Sequence, residues 1–136
     1  MDFAEPKQNN ASRLTGVSVL VVEDDYFIAK EVASILREHG ATVLGPVPDA
    51  SRGRALACDA SPDCVVLDVN LKGHFVFDLA EELIERGVPS IFTTGYDVSF
   101  RPPNLGDAPW LQKPIDPHTL VELVHMNTRA TLRKPT

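Results

Sequence analysis

Short, largely apolar runs alternate with amphipathic stretches along the chain from residue 17 onward. The runs are rich in valine, isoleucine and leucine, which is typical of strands that are buried on both faces of a sheet. Between them, apolar residues recur at three- and four-residue spacing, which predicts helices with one buried face. Strands that alternate with helices predict an α/β fold, in which a parallel sheet lies between two helical layers. The predicted strands cover residues 17–22, 41–45, 64–68, 90–94 and 110–112.

The predicted helices have recognisable ends. Asp49 is expected to cap a helix over residues 50–58, and Asp116, followed by Pro117 in the first turn, is expected to cap the last helix. Gly40 follows the first helix at the position where a glycine often ends one. The buried stripes of the three longer helices are formed by Ile28, Val32, Ile35 and Leu36, by Val76, Leu79, Ala80, Leu83 and Ile84, and by Leu120, Val121 and Val124.

One segment interrupts this alternation. A helix is expected between the fourth and fifth strands, yet residues 97–109 contain Pro102, Pro103, Gly106 and Pro109. Proline lacks a backbone N–H and disfavours helical backbone in the residue before it, so at most one or two helical turns are predicted there. The fourth helix of the fold is therefore predicted to be short or irregular.

The length of 136 residues suits one compact domain. We expect this domain to span residues 17–130, between a flexible polar tail over residues 1–16 and a short tail over residues 131–136. A domain of this size can bury enough surface to fold without a disulfide or a structural metal. Cys58 and Cys64 match no metal-ligand spacing and are interpreted as reduced thiols.

The charge and hydropathy of the chain exclude several classes of partner. A net charge of −6 and a pI near 5.1 argue against a nucleic-acid binder that works by neutralising phosphates. No apolar stretch approaches the length of a membrane span. The first residues lack the apolar core of a signal peptide, so a cytoplasmic protein is expected.

Polar residues follow or end most of the predicted strands. Glu23 and Asp24 (with Asp25 beside them) follow the first strand, Asp68 ends the third, Thr94 ends the fourth, and Lys113 follows the fifth. Ligands of open parallel sheets bind beyond the carboxyl ends of the strands. If the strand order is 2-1-3-4-5, the first and third strands are neighbours. Their carboxylates, the hydroxyl and the ammonium then share one cleft.

This set of groups suits phosphoryl transfer. Clustered carboxylates bind a hard divalent cation such as Mg²⁺, which offsets their mutual repulsion. A carboxylate beside the cation can attack phosphorus, while Lys113 and Thr94 hold the phosphoryl oxygens. Each piece also has a plainer interpretation: an acidic run is often a solvated turn, an aspartate after a strand is often a helix cap, and threonine favours strands. The combination at consistent strand ends is what indicates a site.

With these motifs, the chain resembles the receiver domain of two-component response regulators. The stretches "VLVVEDD", "VVLDVNL", "FTTGY" and "QKPI" carry the resemblance, which covers residues 17 to about 127. It implies a CheY-like (flavodoxin-like) fold with a doubly wound five-stranded parallel sheet in the order 2-1-3-4-5. It also implies that Asp68 is the phosphoacceptor. Mg²⁺ or Mn²⁺ would then be held by Asp24, Asp68 and the backbone carbonyl of Asn70, with Glu23 acting through water.

The resemblance assigns the remaining site residues as well. Thr94 and Gly95 fall at the switch and phosphoryl-binding position, and Lys113 falls at the phosphate-sensing lysine, before a proline whose peptide bond is often cis in the family. Trp110 matches the switch aromatic; a plain packing role is the alternative, since its ring is bulkier than usual. Asn70 and Tyr96 are expected to tune hydrolysis of the acyl phosphate.

Two departures from the common receiver pattern point to a subgroup. Leu71-Lys72-Gly73 replaces the usual Met-Pro pair, and the prolines disrupt the helix before the fifth strand. Together with a Phe-x-Thr-Gly-Tyr stretch at residues 92–96, these features are similar to stand-alone receivers that act without an output domain. They put in doubt the usual signalling face near the fourth helix.

The resemblance implies a single-domain regulator rather than an enzyme. Its expected partners are a sensor histidine kinase or phosphotransfer protein and a downstream protein target, with no nucleic acid or membrane involved. We expect a monomer, or a homodimer linked to phosphorylation. Two alternatives are a docking adaptor that works without phosphorylation and an Asp-nucleophile phosphohydrolase. Glu-Asp-Asp on the first strand and the lack of length for a cap domain argue against the hydrolase.

Overall fold

A five-stranded parallel sheet forms the centre of the protein. The computed structural model describes residues 12–71, 76–95, 105 and 107–128. All strand pairs are parallel and the order is β2-β1-β3-β4-β5, which confirms the predicted fold. The elements are β1 (Ser18–Val22), α1 (Tyr26–Glu38), β2 (Thr42–Val47), α2 (Ala50–Ala60), β3 (Cys64–Asp68), α3 (Val76–Glu85), β4 (Ser90–Thr94), β5 (Trp110–Gln112) and α4 (Pro117–Asn127).

The sheet separates two apolar cores. Alternate residues of β1 point to opposite faces, so Val19 and Val21 enter one core while Leu20 and Val22 enter the other. The first core lies beneath α1 and α4, and the second lies beneath α2 and α3. This arrangement explains why the strand segments are apolar at nearly every position, since both of their faces are covered.

Aspartate side chains begin three of the helices. Asp49 accepts a hydrogen bond from the backbone N of Arg52 at 2.8 Å, and Asp116 accepts one from the N of Thr119 at 2.8 Å, which confirms both predicted caps. Asp25 caps α1 by accepting from the two backbone N–H groups that follow at positions 27 and 28. Asp25, the third carboxylate of the acidic run, is therefore the N-cap of α1.

The N-terminal boundary lies earlier than the sequence predicted. Leu14 is 0% exposed and belongs to the core beneath α1 and α4, and its backbone N donates to the carbonyl of His39 at 2.7 Å. Arg13 forms an ion pair with Glu122 of α4 at 2.9 Å. Residues 12–16 are thus packed on the domain. The prediction that residues 1–16 form a tail is therefore wrong for residues 12–16.

Other boundaries differ by a few residues. β2 continues to Val47, past the predicted end at residue 45, and α2 ends at Ala60 instead of residue 58. Residues 96–104 and 106 lie outside the described part of the chain, so the short or irregular helix before β5 stays a prediction. The predicted tails over residues 1–11 and 131–136 also lie outside it. Within the described ranges, none of the helices has the length and apolar character needed to span a membrane.

Candidate functional site

The carboxyl ends of four neighbouring strands bring the predicted polar residues to one edge of the sheet. β1 pairs with β3, so Glu23 and Asp24, directly after β1, lie beside Asp68 at the end of β3. β3 pairs with β4, which ends at Thr94, and β4 pairs with β5, which Lys113 follows. The strand order thus places these residues together, as the conditional prediction required.

Three carboxylates form what we call the acid cluster: Glu23, Asp24 and Asp68. Each offers one oxygen, and these oxygens lie within 4.8 Å of one another. Glu23 is 5% exposed and Asp68 is 2% exposed, so two of the acids are almost completely removed from water. Buried like charges at this distance are unfavourable without a nearby cation, so the cluster calls for positive charge.

Lys113 supplies positive charge within the protein. Its Nζ lies 2.9 Å from Oε1 of Glu23 and 3.3 Å from Oδ2 of Asp68, so one ammonium bridges two buried carboxylates. The backbone N of Lys113 also donates to the carbonyl oxygen of Thr94 at 2.7 Å, which ties the lysine to the end of β4. The peptide bond between Lys113 and Pro114 is cis.

The pKa of Glu23 shows that the charge of one ammonium does not fully offset the effect of burial on this carboxyl group. The pKa of the Glu23 carboxyl is raised from 4.5 to about 7, first by burial and next by the hydrogen bond with Asp68, against the lowering effect of Lys113. For Lys113, burial favours the neutral amine, but the hydrogen bond to Glu23 and the charge of Asp68 outweigh it and raise the pKa of the lysine.

Backbone N–H groups fix the orientation of both buried acids. The N of Asp25 donates to Oε2 of Glu23 at 3.1 Å, and the N of Asn70 donates to Oδ1 of Asp68 at 3.0 Å. Each carboxylate is thus held through one oxygen by the backbone, while its other oxygen contacts Lys113. Such positioning leaves few rotamers for the side chains and preorganises the cluster.

For the other predicted site residues, the structure gives a position and an exposure but does not assign a role. Thr94 is buried at the end of β4, and Asn70 is exposed just after β3. Gly95 is exposed, and no heavy atom lies within 4 Å of the position that a Cβ would take, so its phosphoryl-binding role stays a prediction. Tyr96 lies outside the described residues, as do Lys72 and Gly73.

Trp110 is half-buried on β5, in an aromatic cluster on the α2–α3 side of the sheet. Its ring centroid lies 4.8 Å from that of Phe92 on β4 and 6.2 Å from that of Phe77 on α3. The ring therefore already has packing partners on one face. The sequence did not predict the contact between Trp110 and Phe77 of α3, because the predicted buried stripe of that helix contains Val76 but not Phe77.

An exposed aromatic pair beside the acid cluster was also missed by the sequence interpretation. Tyr26 and Phe27 open α1 and are 68% and 79% exposed, and their rings contact each other edge to face at 5.4 Å. The signal was present, since two aromatic residues directly follow the acidic run and precede the buried stripe of the helix. Large exposed aromatic side chains are typical of protein-binding surfaces.

Comparisons with known proteins agree with the observed fold. The protein resembles the transcriptional regulatory protein PdtaR of Mycobacterium tuberculosis, with 28% identity over 112 residues that cover 79% of this chain and 55% of that protein. The chain thus spans about half the length of the curated relatives it matches.

Among solved structures, the chemotaxis protein CheY4 of Vibrio cholerae superposes with a TM-score of 0.72 at 24% identity, covering 81% of this chain and 97% of that one. The response regulator PhyR of Brucella abortus superposes with a TM-score of 0.72 at 23% identity, covering 89% of this chain and 51% of that one. At these identities the likeness supports the fold. The family description "response regulator receiver domain" matches residues 19–125, and the chain therefore belongs to the response regulator receiver domain family.

Proposed function

We propose that Asp68 accepts a phosphoryl group from a sensor histidine kinase or a phosphotransfer protein, and that the phosphorylated domain signals by protein–protein contact. The observation that carries the proposal is the Lys113 ammonium, which bridges Asp68 and Glu23 within the acid cluster. In this step an Asp68 oxygen forms a bond to phosphorus, while the phosphorus–nitrogen bond of the donor phosphohistidine breaks and its electron pair returns to the imidazole. The protein then acts as a phosphoacceptor rather than as an enzyme.

The residues present fit a hard divalent cation. The acid cluster offers three carboxylate oxygens close together, a donor set that suits Mg²⁺ or Mn²⁺. We assign Asp24, Asp68 and the backbone carbonyl of Asn70 as ligands, with Glu23 acting through water. When bound, the cation neutralises charge on the carboxylates and on the incoming phosphoryl oxygens.

The chain's own groups hold the phosphoryl group and pass on the signal. Lys113 would transfer its contact from the acid cluster to phosphoryl oxygens, and Thr94 would supply a hydroxyl from the neighbouring strand. When Thr94 moves, the side chain of Trp110 on β5 would change its position in turn. Asn70 and Tyr96 are proposed to tune hydrolysis of the acyl phosphate.

The aromatic pair of Tyr26 and Phe27 supports a protein as phosphodonor. Both rings lie at the start of α1, next to the acid cluster, and expose most of their surface. Burying such rings against a partner supplies contact area close to the reacting carboxylate. A small phosphodonor would not need this surface.

Mg²⁺-dependent phosphorylation by acetyl phosphate, followed by intact mass measurement, tests the proposal. We expect one added phosphoryl group, which is lost without Mg²⁺ and in Asp68→Asn. Asp25→Asn is the matched control: it changes a neighbouring carboxylate in the same way but keeps a residue that can cap α1, so labelling should persist. Undiminished labelling of Asp68→Asn would assign the phosphoacceptor elsewhere. A wild-type protein that neither gains mass nor binds Mg²⁺ would point to a docking adaptor.

A further inference from the structure

A cavity of about 290 Å³ lies at the amino end of β4, which is the opposite end of the sheet from the acid cluster. Ser90 begins β4 and lines the cavity, whereas Thr94 ends this strand at the edge that holds the acid cluster. Four strand steps separate the two residues, which corresponds to roughly 13 Å. The apolar part of the lining comes from Ile84, Pro89, Leu105, Ala108 and Pro109. The cavity is thus separate from the proposed phosphorylation site, and a ligand there does not depend on the proposed function.

The hydroxyl group of Ser90 has an unmet hydrogen-bonding capacity. Ser90 is 2% exposed, and its Oγ forms no hydrogen bond within the described part of the chain. Residues two apart on a strand share a face, so Ser90 lies on the same face of β4 as Phe92, towards α3. A buried hydroxyl without a partner is unfavourable, and rotation about χ1 lets this one change direction. A ligand group that donates a hydrogen bond to the Oγ would remove the penalty.

The charges around the cavity favour a cation. Asp107 lines the cavity, is exposed and forms no ion pair with another described residue. The last turns of α3 and α4 reach the cavity through Ile84 and Asn127, and the carboxyl end of a helix carries partial negative charge. The described lining contains no lysine, arginine or histidine. Arg86 directly follows α3, but its guanidinium pairs with Glu82 at 3.7 Å, so its charge is already offset.

We propose that this cavity binds a small organic amine in its protonated form. The ammonium donates to the Oγ of Ser90 and pairs with the carboxylate of Asp107, while the hydrocarbon body of the amine covers the apolar lining. At about 30 Å³ for each water-sized group, the volume admits about ten non-hydrogen atoms. A primary amine on one saturated ring or one short chain has this size.

Backbone amide chemical-shift mapping of the ¹⁵N-labelled full chain tests this proposal. The probe is cyclohexylmethylamine, and cyclohexylmethanol and cyclohexanecarboxylate serve as neutral and anionic analogues of nearly the same shape. We expect saturable shifts at Ile84, Ser90 and Asn127 with the amine, at a Kd in the millimolar range that suits so few atoms. The alcohol should bind at least fivefold more weakly, and the carboxylate should cause no shifts there.

Three results of this titration would overturn the proposal. Shifts confined to Glu23 and Asp24 would place the amine in the acid cluster. Equal affinity for the alcohol would mean that the cavity selects apolar bodies without regard to charge. The third is the absence of saturable shifts with the amine.

Substitutions of the two polar lining residues isolate their contacts. Ser90→Ala should raise the Kd of the amine roughly tenfold, because it removes the acceptor for a charged donor. Without ligand, this variant should keep or raise the Tm, since the hydroxyl that it removes has no partner. Asp107→Asn should raise the Kd about two- to fivefold, as expected for an exposed ion pair. Asp59→Asn removes the same charge from an exposed position on α2 and should leave the Kd unchanged.

The variants can also contradict the proposal. A lower Tm in Ser90→Ala would mean that the hydroxyl is already paired in solution, and equal weakening by Asp59→Asn would mean that net charge alone attracts the amine. Tighter binding of Nα-acetyl-lysine methylamide than of the probe would assign the cavity to a lysine side chain of a partner protein, and would overturn the small amine as its occupant.

Discussion

Binding of Mg²⁺ to this protein should depend on pH through Glu23. Burial raises the pKa of this carboxyl to about 7, so in the metal-free protein it is about half protonated at neutral pH. A cation that requires the ionised acid cluster must displace that proton, so its apparent affinity follows the deprotonated fraction of Glu23. For a pKa of about 7 this fraction rises from roughly one tenth at pH 6 to roughly nine tenths at pH 8.

The apparent association constant of Mg²⁺ should therefore rise about tenfold between pH 6 and pH 8. Isothermal titration calorimetry in two buffers of different ionisation enthalpy measures both the affinity and the protons released. Glu23→Gln has nearly the same shape but cannot titrate, so its Mg²⁺ affinity should vary much less over this range. A wild-type affinity that is flat from pH 6 to pH 8, or a dependence that persists in Glu23→Gln, would refute the assignment of the proton to Glu23.

Three further predictions concern stability and switching. Without metal, the raised pKa of Glu23 means that the folded protein holds the proton more tightly than the unfolded chain does. This contribution to stability is lost as pH rises from about 4.5 to about 7. The free energy of unfolding measured in urea should therefore fall by up to about 3 kcal/mol over this range in the wild-type protein but not in Glu23→Gln. Leu14→Ala should lower the free energy of unfolding by about 2–5 kcal/mol because Leu14 is a core residue. An unchanged free energy of unfolding would instead mean that residues 12–16 belong to the flexible tail. Beryllofluoride with Mg²⁺ should shift the emission of Trp110, and an unchanged spectrum would leave that residue a packing role only.

The edge of the sheet at which the polar residues lie was predictable from the sequence for a physical reason, whereas the strand order came from the resemblance to the receiver family. Strands that are covered on both faces must be apolar throughout, so a polar residue at the end of such a run marks the edge of the sheet. Asp68 and Thr94 end their strands in this way, and the structure places both at the same edge. The position of a residue along its strand thus carries information about which side chains meet.

The features that were missed lack such a periodic signal. Leu14 is one apolar residue in a polar stretch, and only its contact with distant elements buries it. The run Glu23-Asp24-Asp25 does not by itself show which carboxylate caps a helix, because that depends on where α1 begins; the resemblance, and not the residue pattern, assigned Glu23 and Asp24 to the site.

The bridge formed by Lys113 has a consequence for the proposed phosphorylated state. Its ammonium already contacts Glu23 at 2.9 Å, so under the proposed function a phosphoryl group on Asp68 would share the three N–H donors of this ammonium with Glu23. A strong Glu23–Lys113 contact would then weaken the interaction of Lys113 with that phosphoryl group. Under the proposed function, a side chain that does not contact the phosphoryl group, such as Glu23, would in this way influence the stability of the phosphorylated state.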